Sequence, residues 1–258
     1  MITNNKDIDK FSIGTIISAK YKLNRLITTG TFSAIYECEH IVKKNKAVIK
    51  METNETAKKL MQHEITMYMS LQKSKVRVPK IKNIGCDGNV QYIILQQLNQ
   101  SLKVYQGRIS ILELYRQLYL LHQEGILHRD IKPDNFVVGF DQLVYMIDLG
   151  LSKYIDDRPS RGFLGNYRYA SPTCFNTNYI YTIKDDILGL TYMILDLKYK
   201  YLPWDYEEYD KIPRQEIEYN KFYPNDTLCD IIQLCLGGFN YNQLFTMLDK
   251  MNYDLDLK

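Results

Sequence analysis

Two short apolar runs, NFVVG and LVYMID, flank a turn around Phe140–Gln142 within LHRDIKPDNFVVGFDQLVYMIDLG, Leu127 to Gly150. Runs this short, rich in β-branched residues and separated by turn residues, read as the two strands of a hairpin. Antiparallel pairing then sets Asn135, just before the first strand, beside Asp148, just after the second. An amide oxygen and a carboxylate at one end of a hairpin are hard donors of the kind Mg²⁺ takes. Asp130 and Lys132 lie on the loop leading in, which adds a carboxylate base and a cation near the same point. A polar turn with solvated charges is the plainer reading, but four such residues at this spacing around one hairpin argue against it.

The organisation on either side of this segment is uneven. Ahead of it, KYKLNRLI, AIYECEH, KAVIKME and VQYIILQQL are strand-like. Between the last two, TNETAKKLMQHEITMYMSLQK has helical period, with Leu60, Glu64, Met67 and Leu71 on one face. From Ser110 onward helices dominate. SILELYRQLYLLHQEG opens on a capping box, Ser110 and Glu113, and closes on Gly125 as a C-terminal cap. A strand-rich front and a helix-rich back predict an α+β chain in two lobes, about 1–95 and 100–258, joined at about 96–99.

The pattern H-R-D-x-K-x-x-N, as His128, Arg129, Asp130, Lys132 and Asn135, resembles the protein kinase catalytic loop, and Asp148-Leu149-Gly150 stands where kinases usually carry D-F-G. The resemblance implies a bilobal kinase fold, with an antiparallel-sheet front lobe bearing one main helix and a mainly helical back lobe. It implies that Asp130 accepts or orients the substrate hydroxyl proton, that Lys132 neutralises γ-phosphate charge, and that Asn135 and Asp148 hold Mg²⁺. Lysine two residues after the catalytic aspartate is the serine/threonine-kinase form. HRDIKPDNFVVG, GNYRYAS (Gly165 to Ser171) and LPW (Leu202 to Trp204) are similar to segments of the casein kinase I family, and Ala170-Ser171-Pro172-Thr173 replaces A-P-E, as in that family. Against that pattern the chain is trimmed in the activation segment, after Trp204 and near its C-terminus.

The same resemblance assigns the ATP site. Lys50 in AVIKME binds the α- and β-phosphates, with Glu64 as its partner. The helical period supports the pair independently, because an inward carboxylate is costly without a cation. Thr28, Gly30 and Ser33, in LITTGTFSAIY, occupy the three glycine positions of a phosphate-cradling loop, with only the central glycine kept. A left-handed backbone at Thr28 or Ser33 would cost about 1–2 kcal/mol, which weakens the loop without abolishing it. Leu95 guards the back of the adenine pocket, and Gln96 to Leu98 form the hinge whose backbone meets adenine. Asp186 supports the catalytic loop from a buried helix. The resemblance also implies that Arg168 helps bind an acidic or phosphorylated residue ahead of the target serine or threonine. Arg129, just before Asp130, could add to a small anion pocket, whereas Arg158 and Arg161, earlier in the same segment as Arg168, read more readily as solvated. His40, His63 and His122 read as surface or packing residues.

Composition limits the alternatives. A formal charge of +3 on 258 residues is too small to argue for nucleic-acid binding. Five cysteines without a C-x-x-C pair suit reduced thiols in the cytoplasm or nucleus. MITNNKDIDKF has no apolar signal core, and no run of 18 apolar residues occurs, so no membrane association is expected. The expectation is a monomeric, ATP- and Mg²⁺-dependent kinase of protein substrates. Its activation segment holds only Ser152, Ser160 and Ser171 as phosphorylatable residues other than tyrosine, so activity should not require phosphorylation there. A pseudokinase scaffold is the alternative, favoured by the degenerate glycine loop and by Asn166 where a threonine is usual. A small-molecule phosphotransferase is disfavoured by Lys132 and GNYRYAS.

Overall fold

A computed structural model describes residues 11–29, 33–53, 55–157, 164–176, 179–251 and 254–257. The chain separates into two compact units. The first is Met1–Asn99 with Ile147–Gly150, and the second is Gln100–Met146 with Leu151–Lys258. Gly30, Arg158, Ser160 and Arg161 lie outside the described residues.

The first unit is a six-stranded antiparallel sheet with one long helix. Its strands are β1 (Ile16–Ile17), β2 (Tyr21–Thr29), β3 (Ser33–His40) and β4 (Lys46–Glu52), followed by helix α1 (Glu55–Leu71), β5 (Ile81–Asp87) and β6 (Val90–Gln96). The order across the sheet is β1-β2-β3-β4-β6-β5. Strand parity divides the side chains. Ala34, Tyr36 and Cys38 on β3 pack with Ala47, Ile49 and Met51 on β4, over Tyr92 and Ile94 on β6. The even positions of β4, Val48, Lys50 and Glu52, therefore face the opposite way.

Helix α1 turns Met61, Glu64, Ile65, Met67, Tyr68 and Leu71 inward. Leu60, expected on that face, is 51% exposed. The buried stripe is a broad arc led by Met61, Ile65 and Tyr68, and Leu60 falls just outside it. Strand β5 went unread in the sequence because IKNIGCD does not alternate. It is a half-exposed edge strand with a register shift between Ile81 and Asn83.

The second unit begins with β7 (Gln100–Ser101), β8 (Gly107–Ser110), α2 (Ile111–Gln123) and β9 (Ile126–Leu127). Next come the hairpin β10 (Phe136–Val138) and β11 (Val144–Met146), then β12 (Lys153–Tyr154) and the long helix α3 (Ile183–Tyr199). Four helices follow, α4 (Glu207–Asp210), α5 (Tyr219–Phe222), α6 (Thr227–Leu236) and α7 (Tyr241–Leu248), and then strand β13 (Asp254–Leu257).

The predicted hairpin is present, with Phe136 opposite Met146 and Val138 opposite Val144. Ser110 Oγ caps α2 by accepting from the Glu113 N–H at 3.3 Å. Gly125 follows the helix at φ +73°, a left-handed geometry that favours glycine. Helix α3 is buried at twelve of its residues, Asp185 to Leu195 and Leu197, and forms the axis of the unit. A Cβ on Gly189 would come within 3.1 Å of Tyr169 O and 3.3 Å of Ile131 Cβ. Glycine there lets α3 approach the 128–135 loop closely. All five cysteines are free thiols, and no helix among the described residues is long and apolar enough to cross a membrane.

Candidate active site

In the first unit, the parity that buries Ile49 and Met51 sends Lys50 toward α1. Its Nζ donates to Glu64 Oε2 at 2.7 Å and to Asp148 Oδ1 at 3.4 Å. Glu64 is 2% exposed. Burial works against the Lys50 ammonium, but Glu64 and Asp148 outweigh it and hold its pKa above the ordinary value, so it stays charged. Asp148 has a left-handed backbone, φ +59°, and its N–H donates to the Tyr68 hydroxyl at 3.0 Å. Tyr68 lies one turn after Glu64, so a single face of α1 addresses both Lys50 and Asp148.

Glu52, also on the α1-facing side of β4, is 7% exposed. Its pKa is pushed up to about 7, first by burial and then by the charges of Glu64 and Asp148, against the pull of Lys50.

Thr28 and Thr29 close β2, opposite Ile35 and Ala34, and Ser33 opens β3 opposite Glu52. Leu95 is buried on β6, where it pairs with Val48. Gln96 gives its N–H to Lys80 O at 2.8 Å. Two residues on, among the described residues no hydrogen bond takes up the N–H or C=O of Leu98. A base with adjacent donor and acceptor, such as adenine, could take both.

In the second unit, Asp130 is 6% exposed. Its Oδ2 accepts from Lys132 Nζ at 2.6 Å and from Asn135 Nδ2 at 2.9 Å, and its main-chain carbonyl accepts from Asn135 Nδ2 at 2.8 Å. Asn135 ends a 3₁₀ turn, Pro133–Asn135, which fixes its side chain against Asp130. With both amide hydrogens directed at Asp130, its Oδ1 remains as a hard-oxygen donor. That fits Mg²⁺, as does the Asp148 carboxylate, 43% exposed in the first unit.

The loop itself is hung from α3. Asp186 accepts from the N–H groups of His128 at 2.8 Å and Arg129 at 2.9 Å. Those bonds seat the residues before Asp130, including Arg129 at φ +70°. This is the support expected of Asp186.

Arg168 corrects an expectation. Its guanidinium is clamped by Asp196, at 2.7 and 3.0 Å, and by Asp205, at 2.5 and 2.8 Å. Hydrogen bonds to Asp196 and then Asp205 hold its pKa above the ordinary value. A phosphate arriving there would meet two carboxylates against one cation, so Arg168 as placed is no open anion receptor. The forked geometry that suits arginine to phosphate suits it equally to carboxylates already in the fold.

Sequence reasoning missed three further groups. Tyr68 had a signal, its i+4 spacing from Glu64. His122, assigned to packing, is buried and bonded to Asp186 at 2.9 Å. Arg214 had no signal. It donates to Ala170 O and, at 2.8 Å, to Tyr167 O, and it lies 3.8 Å from the Trp204 ring centroid. It thereby braces the 165–171 segment against Trp204.

The chain is similar to known protein kinases. A probable serine/threonine-protein kinase of Dictyostelium discoideum is 26% identical over 237 residues, covering 81% of this chain. The match covers 47% of that relative, so this chain spans about half its length. The family model described as "Protein kinase domain" matches residues 21–227, taking in both sets of residues above. The chain belongs to the protein kinase domain family.

Proposed function

We propose that this chain is a serine/threonine protein kinase that transfers the γ-phosphoryl group of ATP to hydroxyls of protein substrates. The observation that carries the reading is Asp130. Lys132 and Asn135 hold its Oδ2, leaving Oδ1 to orient and accept the proton of a substrate hydroxyl. Lys132 places positive charge beside that carboxylate, where charge develops on the transferring group. Lys50, kept charged and aimed by Glu64, serves the α- and β-phosphates. When bound, Mg²⁺ would neutralise phosphate charge. Each unit offers one hard-oxygen donor of the sort it takes, Asp148 in the first and Asn135 in the second. Thr28 and Ser33, with Gly30 between them in sequence, would serve the phosphates, and Leu95, Gln96 and Leu98 would receive adenine.

The finer reading is a casein kinase I-like, monomeric enzyme of the cytoplasm or nucleus, supported by HRDIKPDNFVVG, GNYRYAS and the free thiols. With Arg168 clamped, any preference for acidic or phospho-primed sites is weak.

The test is incorporation of radiolabelled phosphate from ATP into casein and a phospho-primed peptide, with and without Mg²⁺, using Asp130→Asn and Asp148→Ala as controls. Transfer by the wild type and none by either variant is the expected result. Comparable turnover in wild type and Asp148→Ala refutes the reading, and no transfer by the folded wild type leaves the scaffold alternative.

A further inference from the structure

Asp186 is 0% exposed, and a buried carboxylate is tolerable only when its lone pairs are filled. An ionised carboxylate has about four acceptor positions, and here all four are used. Oδ2 accepts from the His128 N–H at 2.8 Å and from His122 Nε2 at 2.9 Å. Oδ1 accepts from the Arg129 N–H at 2.9 Å and from the Tyr181 hydroxyl at 2.6 Å. Two of these bonds carry the loop that presents Asp130, and the other two come from side chains that hold the carboxylate in place. Burial alone would raise the pKa of Asp186, yet its interactions with His122 first, and then with His128 and Tyr181, hold it below the ordinary carboxylate value.

His122 near the end of α2 is the larger of the two holders, and its ring is buried as well, at 1% side-chain exposure. A neutral ring that donates through Nε2 to an acceptor-only carboxylate has Nδ1 left as an acceptor. That atom is hydrogen-bonded to the Tyr241 hydroxyl on α7. Tyr241 is itself held edge-on by Tyr119 at 4.7 Å and Phe239 at 5.0 Å between ring centroids. Four groups from four parts of the second unit thus form one chain: Tyr241, His122, Asp186 and the His128–Arg129 backbone. No step of the proposed chemistry uses Tyr241 or His122.

We propose that Tyr241 is a positioning residue of the catalytic loop: its hydroxyl fixes the His122 ring, and through that ring the Asp186 carboxylate from which the loop hangs. Removing the hydroxyl leaves Nδ1 buried without its donor. The ring is then free to turn or change tautomer, and the bond to Asp186 is no longer set. Only the catalytic consequence rests on the kinase reading, because the effect on the loop backbone stands by itself.

The experiment compares wild type, Tyr241→Phe and, as a control, Tyr119→Phe, in backbone amide hydrogen exchange and in kinetics with ATP and casein. Tyr241→Phe should speed exchange at His128 and Arg129 at least about tenfold while leaving α3 and α6 unchanged. It should lower kcat about tenfold, equivalent to roughly 1.4 kcal/mol of barrier, with KM for ATP unchanged. Tyr119→Phe should match wild type in both. Wild-type exchange at the two amides overturns the proposal, as does acceleration spread across the unit, or local acceleration with kcat unchanged. If Tyr241→Phe does not fold, His122→Gln replaces it with the same expected and overturning results, and failure of both to fold makes the contacts merely structural and also overturns it. If the wild type transfers no phosphoryl group, the kinase reading fails and the exchange result alone decides the role of Tyr241.

Discussion

Replacing Glu52 by glutamine should make the protein more stable at neutral and alkaline pH, and the gain should vanish in acid. Glu52 sits on the α1-facing side of β4, 7% exposed, with Glu64 and Asp148 adding negative charge around it. Its pKa rises from an ordinary 4.5 to about 7. Below pH 4.5 the carboxyl is protonated in both the folded and the unfolded chain, and it contributes nothing to the pH dependence. Between 4.5 and 7 the unfolded chain ionises first, so folding carries a growing penalty. Above 7 the penalty is complete. At about 1.4 kcal/mol per tenfold change in proton affinity, the limit is about 3 kcal/mol, and residual hydration of the carboxylate reduces it to about 1–3 kcal/mol. The assay is urea unfolding of wild type and Glu52→Gln at pH 8.0, 6.0 and 4.5. A difference that is the same at all three pH values, or a variant less stable than wild type at pH 8, refutes the reasoning.

Lys50→Met should destabilise the chain by about 3–5 kcal/mol, because Glu64 is left as a buried charge without its cation, and urea midpoints would register it. A double variant Lys50→Met, Glu64→Leu should recover much of that loss, and no recovery would sink the argument. Protein freshly treated with phosphatase should keep its activity: Ser152 and Ser171 are 2% and 1% exposed, and their hydroxyls are bonded to His128 O and Asp185. A large fall in activity on dephosphorylation would contradict this. Arg168→Ala should cost about 1–3 kcal/mol of stability by freeing Asp196 and Asp205. It should change the kcat/KM ratio for phosphoserine against alanine three residues before the target by less than about twofold, and a larger change would restore Arg168 as an anion site.

What could be read from the sequence was local. The hairpin 136–146, the Ser110 and Gly125 caps and the inward Glu64 all follow from residues within a turn or two of one another. Helix α1 shows the limit of that approach. Glu64, Met67 and Leu71 are buried as expected, but Met61, Ile65 and Tyr68 are buried with them and Leu60 is not, and only the packing beneath the helix sets where that arc ends. Arg168 was misread for a related reason. Its motif announces a guanidinium, while the Asp196 and Asp205 that occupy it are 28 and 37 residues away. His122 and Tyr241 are 119 residues apart, and neither spacing nor period brings such residues together.

Strand β13 carries a consequence for how the protein is made. It pairs with β8, Asp254 against Ser110 through Leu257 against Gly107, and Arg108 bridges Asp254 and Asp256 at 3.4 and 3.1 Å. The partners are almost 150 residues apart, so the closure entropy of that loop is among the largest in the chain. During synthesis β8 and α2 emerge from the ribosome long before their partner strand exists. The edge of β8 therefore waits, unpaired and able to recruit a foreign strand, until residue 257 has cleared the exit tunnel. The second unit completes its fold only after release of that segment, whereas the β2–β3–β4 meander can zip as it appears.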